Sequence, residues 1–383
     1  MGSFVMPLLT LILTQKLGIS KASAGSLISL LLLTEAPCLI LGGKLADSVG
    51  RKKTIVVCSL AGAFFYMLCA FLPHRMVLFI MIASDFYVMA SPSFSATLAD
   101  LTCPENRQSA FSLMYFGMNI GAAVSPIIGG LLFQNHLPLL FFLDAATTVG
   151  YTAVIAKNVP ETFRRAEKPG LSAEKAPEKK QTIASVLRGL PVLVAFVALL
   201  FLYDFCYSQW NFMLPAQCGD LFGPNGARRF SLLASANGFT VILLTPAATA
   251  LSRRFRPLAV VAVGGFFYFC AYLGFAFGNS FFSFFIFIEL FTVGEIVTTI
   301  QIEAFVTGRT PSAFRGRISA FENFVRGAAQ ALGPLAMGYL LTDWGYRASW
   351  SLIAGIVLAG GLGMLLLNRR DRRSSEKRQS SAA

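Results

Sequence analysis

The chain has 383 residues, of which 55% are hydrophobic and only 13% charged, with 36 Phe and a formal net charge of +13. So few polar residues cannot cover the surface of a water-soluble domain, which excludes a soluble enzyme or cytosolic binding module. The positive surplus raises the question of a nucleic-acid partner, and its distribution along the chain argues against one.

A window of about 20 residues finds apolar segments near 2–15, 22–42, 54–72, 75–99, 108–134 and 138–157. A second set follows near 187–214, 228–251, 257–278, 281–306, 316–342 and 347–367. These runs are about twice the length a tilted barrel strand needs and do not alternate with polar residues, so they predict helices. The first is short. Gly2 to Thr14 rises about 20 Å as a helix against a hydrocarbon core of about 30 Å, which predicts a truncated first helix or a short-start form.

Between the second and third segments stands Gly42-Gly43-Lys44-Leu45-Ala46-Asp47-Ser48-Val49-Gly50-Arg51-Lys52-Lys53. It is a charged hinge between residues 22–41, whose one acid is Glu35, and residues 54–72, which carry no acid or base. Gly43 and Gly50 permit a tight turn and close helix approach, while Asp47 and Arg51 are charges that need partners. Gly-x-Leu-Ala-Asp-x-x-Gly-Arg-Lys resembles the signature loop between helices 2 and 3 of the major facilitator superfamily. The resemblance implies that Asp47 faces the start of helix 11 near Gly316 and Arg317. It also implies that Arg51 reaches an acid ending helix 4, for which Asp100 is the candidate, so that these contacts gate the cytoplasmic side. Arg107, in the basic turn after helix 4, is grouped with this gating loop. A plain positive anchor with a glycine turn would explain Lys52 and Lys53 but not Asp47.

Helix 4 departs from the family pattern. The Arg expected there is absent, and Asp85 lies near mid-membrane in Ile80-Met-Ile-Ala-Ser-Asp85-Phe-Tyr87. Helix 5 carries Gly117, Gly121, Ser125 and Gly129 at steps of four, a ridge of small residues on one face, with Pro126 kinking it and Gly130 beside it. Gly-x3-Gly-x3-Ser-Pro-x2-Gly-Gly resembles the fifth-helix signature of the drug-proton antiporter branch, with Ser125 in place of the usual Gly; generic helix packing is the alternative reading.

Charge, Pro and Gly interrupt the apolar pattern at 158–186, predicting a cytoplasmic linker between two halves. The halves repeat: Arg107 and Pro126 are spaced as are Arg315 and Pro334, and Leu251-Ser-Arg-Arg-Phe-Arg256 answers the hinge in degenerate form. The fold class read from this is an all-α polytopic membrane protein of two pseudo-symmetric six-helix bundles, 1–157 and 187–367, followed by a basic, disordered tail at 368–383.

An acid in hydrocarbon is costly enough to be a functional candidate. Asp85 is placed near the midplane, Glu35 about 10 Å from the cytoplasmic side and Asp204 in the outer half of helix 7. On helix 10, Glu289 and Glu303 lie within about 40° of each other while Glu295 projects about 120° away. A carboxylate in a low-dielectric cavity can exchange a proton near neutral pH, as proton-driven antiport requires. Glu35, Asp85 and Glu295 lead the candidates, and an inter-helix hydrogen bond is the alternative for each. Thr292-Val293-Gly294-Glu295-Ile296 resembles a Gly-Glu pair in the tenth helix of some drug exporters. Glu322 and Arg326 stand at i and i+4 on helix 11 and can form an ion pair. Glu303 and Asp144 lie near helix ends, where interfacial solvation is expected. Tyr203, Tyr207, Gln209, Trp210, Asn237 and Gln301 are candidate cavity-lining residues.

Of the 32 Lys and Arg, Lys16, Lys21, Arg75, Arg228, Arg229 and Arg347 fall on the side opposite the hinge, Arg326 is intramembrane, and the rest are on the hinge side. That asymmetry makes the hinge, the linker and the C-terminus cytoplasmic. The seven cysteines and two histidines show no metal spacing, and no metal or other cofactor is expected. No phosphate loop of the Gly-x4-Gly-Lys-Ser/Thr kind occurs, so an electrochemical gradient is the available energy source. The expected function is proton-coupled efflux of small amphipathic or hydrophobic compounds. Proton-coupled import of a sugar, organic acid or peptide, or a non-transporting membrane sensor of the same fold, are the alternatives. Substrate, protons and the bilayer are the expected partners, with no nucleic acid and a monomer favoured.

Overall fold

Glycine and proline punctuate the apolar runs, and the helices of the computed structural model stop and start at them. The structure describes residues 4–163, 183–252, 254–310 and 314–380. The greater part of the expected linker, residues 164–182, lies outside the described residues, and of Glu303 only the backbone is described. The chain opens with a 3-10 turn (Met6–Leu8), one turn of helix α1 (Leu9–Leu11) and a π turn (Ile12–Lys16). Then come α2 (Lys21–Ser48), α3 (Arg51–Phe71), α4 (Met76–Leu101), α5 (Pro104–Leu132) and α6 (Leu137–Asn158). The second half holds α7 (Ile183–Arg188), α8 (Pro191–Tyr207), α9 (Gln209–Phe222), α10 (Gly226–Ser252), α11 (Pro257–Phe277), α12 (Phe281–Arg309) and α13 (Arg315–Ser380). In α13 the helix bends at Gly345, whose φ of 70° only glycine adopts without strain.

Among the described residues, nine stretches are long and apolar enough to cross a membrane. The two longest, Pro191–Ser252 and Arg317–Arg373, exceed two crossings in length and contain turns at Gly223 and Gly345. Large apolar side chains face outward along these helices, among them Val57 at 63%, Leu243 at 74% and Phe282 at 71% exposure. Such a surface is stable only against lipid. The protein is an all-α, multi-pass integral membrane protein.

Two expectations change in the structure. The hinge is mostly helix: α2 runs through to Ser48, leaving only Val49 and Gly50 between it and α3. Glu35 sits about 20 Å along α2 from its Ser48 end, because the charged Gly42–Ser48 stretch extends the helix instead of ending it. The basic tail, expected as disordered, continues α13 to Ser380; Arg, Lys and Glu are good helix formers and the helix is already nucleated.

The chain falls into two compact units. The first comprises Met1–Ile19, Leu30–Lys175 and Cys218–Ser235, and the second Ser20–Ser29, Ala176–Gln217 and Ala236–Ala383. In the first, α3 packs on α4 and α6, with Tyr66 fully buried between Tyr87 and Phe141. Asp144, expected near a solvated helix end, is buried: it accepts from the backbone N–H of Phe4 (2.9 Å) and Val5 (3.4 Å) and so fixes the start of the first helical segment. Gly130 on α5 receives the first turns of α10, where a Cβ would strike Ser231 and come within 3.2 Å of Arg228 Cα.

In the second unit α11 is packed against α12 and α13. Gly264 meets Thr298 and Gly294 of α12, and Gly265 meets the Tyr203 hydroxyl. The buried Trp350 stacks on Tyr272 and donates from Nε1 to Gln217 Oε1 (2.6 Å), whose amide donates in turn to the Phe275 carbonyl (3.0 Å). Gly25 on α2 rests against the Pro334 carbonyl, and Gly338 rests 2.9 Å from the Lys21 carbonyl. Gly338 is spaced from Pro334 as Gly130 is from Pro126, so the sequence repeat returns as two equivalent seats, one inside each unit.

Candidate gating and transport sites

The first N–H groups of a helix and its last carbonyls have no partner within the helix. At the hinge end of the first unit both sets are taken by charged side chains. Glu161, three residues past the end of α6, accepts from the backbone N–H of Arg51 (2.9 Å), Lys52 (3.3 Å) and Lys53 (3.3 Å), capping α3 with a full negative charge. Burial pulls the Glu161 carboxyl up. The hydrogen bonds from the backbone of Phe163, Lys52, Lys53 and Arg51 together outweigh it and leave the group below its ordinary value of 4.5. At the end of α4, the Arg51 guanidinium pairs with Asp100 and donates to the Ala96 carbonyl (3.1 Å). Arg107 donates to the carbonyls of Ala99 (3.1 Å) and Thr102 (3.2 Å).

The glycines divide their work differently from the sequence expectation. Gly42, not Gly43, makes the close helix approach, since a Cβ on it would overlap the backbone of Met89 on α4, whereas a Cβ on Gly43 would meet nothing within 4 Å. Gly50 is required twice: its φ is 118°, and a Cβ there would lie 2.6 Å from Glu161 Oε2. Asp47 is exposed at the end of α2 without an ion-pair partner among the described residues, and the side-chain position at Gly316, its expected neighbour, lies outside them.

On α5 the small-residue ridge is used over part of its length. Ser125, Pro126, Gly129 and Gly130 are buried, and a Cβ on Gly129 would come within 3.0 Å of Leu8 Cδ1 and of the Phe4 carbonyl. Gly121 is half-buried, while Gly117 is exposed with open space around it. Close packing at one end of a helix needs small residues only there.

Deeper in the first unit, α2 and α4 bring together Thr34, Glu35, Cys38 and Asp85. The Thr34 hydroxyl donates to Asp85 Oδ1 (2.7 Å), and Glu35 and Cys38 of α2 lie within electrostatic reach of the same carboxylate. Both acids are half-buried. The sequence offered them as separate candidates; the fold brings them within electrostatic reach of each other.

The second unit holds two further networks. Arg326 on α13 grips Asp204 on α8 with Nε (2.8 Å) and a second guanidinium nitrogen (3.3 Å), and reaches Glu322 Oε1 at 3.3 Å. Gln330 donates to Asp204 Oδ1 (2.8 Å). The i,i+4 pair expected from sequence is present but is the weaker contact, because a guanidinium has five donors and one carboxylate cannot satisfy them. On α12, Glu295 accepts from the Tyr207 hydroxyl (2.7 Å) and from Asn237 Nδ2 (2.8 Å), and Asn237 also donates to Thr292 (2.8 Å). Tyr207 and Trp210 lie against Phe291 beside this group. Glu289 is half-buried and joins neither network.

Glu35, Asp85, Asp204 and Glu295 lie about 20–24 Å along their helices from Ser48, Leu101, Pro191 and Arg309, several turns in from those helix ends. A multi-pass helical protein that keeps bonded carboxylates and an arginine at that depth, and a charged latch at its helix ends, has the build of a membrane transporter. The chain belongs to the Major Facilitator Superfamily, which it matches over residues 1–334 and 226–383.

Among relatives, it is 24% identical to an uncharacterized MFS-type transporter, YhjO, of Bacillus subtilis (strain 168), over 95% of this chain and 88% of that one. It is 22% identical to a Na(+), Li(+), K(+)/H(+) antiporter of Planococcus maritimus (97% and 93% covered) and 26% identical to the multidrug resistance protein MdtH of Klebsiella pneumoniae (strain 342) (89% and 83% covered). The crystal structure of the nucleoside transporter NupG superposes with a TM-score of 0.72 at 16% identity, covering 95% of this chain and 94% of that one. At that identity the likeness speaks for the fold.

Proposed function

We propose that this transporter exports small amphipathic or hydrophobic compounds, with those carrying a positive charge favoured, in exchange for protons by alternating access. One observation carries the reading: the mid-membrane networks contain more carboxylates than cations. Asp204 and Glu322 share the single guanidinium of Arg326, Glu295 is held by a phenol and an amide, and Glu35 and Asp85 lie within electrostatic reach of each other. Uncompensated carboxylates at this depth must be neutralised by protons or by a cationic cargo. The two compete for the same charge, which is the logic of antiport.

The relatives support the direction, since one is named a multidrug resistance protein and another a cation/proton antiporter. The excess of Lys and Arg on the hinge side supports a cytoplasmic hinge, linker and C-terminus. Arg51 paired to Asp100 supports a cytoplasmic gate in which Asp47 also takes part. The test is dye extrusion from vesicles under an imposed proton gradient, with Asp47→Asn, Asp85→Asn and Glu295→Gln beside wild type. Gradient-dependent extrusion that each substitution lowers is expected; absence of gradient-driven flux in wild type would overturn the exporter reading.

A further inference from the structure

Three elements meet at the hinge end of the first unit, and two of them are joined through one residue. Arg51 is the first residue of α3, so its side chain leaves the helix from the turn whose amides Glu161 holds. Its guanidinium then crosses to α4, where it pairs with Asp100 and occupies the Ala96 carbonyl. A helix start without its cap frays, and a side chain on a frayed turn loses its fixed direction. The cap is also a selective fit: Gly50 leaves the space that Glu161 Oε2 fills, and Thr54 closes the turn by donating from its hydroxyl to the Gly50 carbonyl (2.7 Å).

We infer that Glu161 is the positioning residue of the Arg51–Asp100 latch: by capping α3 it aims Arg51 at the end of α4, and it ties that latch to the chain leaving α6. Glu161 lies just before the stretch that connects the two halves of the sequence. The inference uses the gate of the preceding section but is tested without any substrate.

Hydrogen exchange of the full chain in lipid nanodiscs, followed in the first turn of α3 and at the Ala96–Thr102 end of α4, separates the roles. Glu161→Gln, Arg51→Gln, the double variant and Gly50→Ala are compared with wild type. Glu161→Gln and Gly50→Ala are expected to speed exchange about three- to tenfold at both places, Arg51→Gln at the α4 end alone, and the double variant no further at that end than Arg51→Gln. A Glu161→Gln response confined to α3, or α4 effects of the two substitutions that multiply, would overturn the inference. Dye flux of the same proteins is recorded in parallel. If wild type moves no dye, the exporter reading fails while the exchange result still decides the role of Glu161.

Discussion

Arg326 shows what one side chain carries. It is the cation shared by Asp204 and Glu322, whose side chains are only 5% and 2% exposed, while its own is 25% exposed. Removing it in Arg326→Gln leaves two enclosed carboxylates side by side. Asp204→Asn instead leaves Arg326 with Glu322. Thermal unfolding in detergent should therefore rank Arg326→Gln as the more damaging, by roughly 2–4 kcal/mol against about 1–2 kcal/mol, after allowing for solvent around the guanidinium.

Glu161 gives a prediction with a definite sign. Its carboxyl is depressed in the folded protein, so the stabilisation it provides is present above the unfolded value and disappears as pH falls through the folded one. The gap in melting temperature between wild type and Glu161→Gln should be open at neutral pH and close on acidification below the ordinary carboxylate range. A gap that widened on acidification would contradict the charged cap.

At the scale of the element, the hinge distinguishes two adjacent glycines. Gly42→Ala pushes a methyl into the Met89 backbone, and α2 and α4 must separate to admit it, at a cost of about 1–3 kcal/mol. Gly43→Ala meets open space within a helix and should leave stability unchanged or raise it by up to about 1 kcal/mol. Gly42→Ala should melt below wild type, and Gly43→Ala at or above it. The sequence named Gly43 because it sits in the motif, but periodicity gives only the face of a helix and not the neighbour that covers it. For the same reason the α5 ridge was readable as a stripe, while its use at Ser125–Gly130 and not at Gly117 was not.

At the scale of the molecule, the proposed antiport would make charge the basis of cargo selection. If protons and a cationic compound compete for the same carboxylates, Asp85→Asn and Glu295→Gln should lower gradient-driven flux of a cationic dye about tenfold, the order of one lost charge-assisted contact, and that of a neutral analogue far less. Equal losses for both dyes would remove charge from the substrate requirement. The two glycine seats, Gly130 and Gly338, show the internal repeat surviving in the packing where the Asp and Gly of the hinge motif did not survive in its second copy.

The sequence by itself determined the membrane-spanning helices, the positive surplus, the repeat and the family, because a bilayer tolerates only long apolar runs with their backbone bonded internally, and such runs are visible residue by residue. It also presented each acid that the structure places in these networks. Which group meets which only the tertiary structure decided: Arg326 turns to Asp204 on a distant helix as well as to its own neighbour, Asp85 receives the Thr34 hydroxyl, and Glu161 reaches back to α3. The physical reason is that a buried charge or an open helix end is satisfied by whatever group the packing brings within about 3 Å, and chain spacing carries no record of that distance.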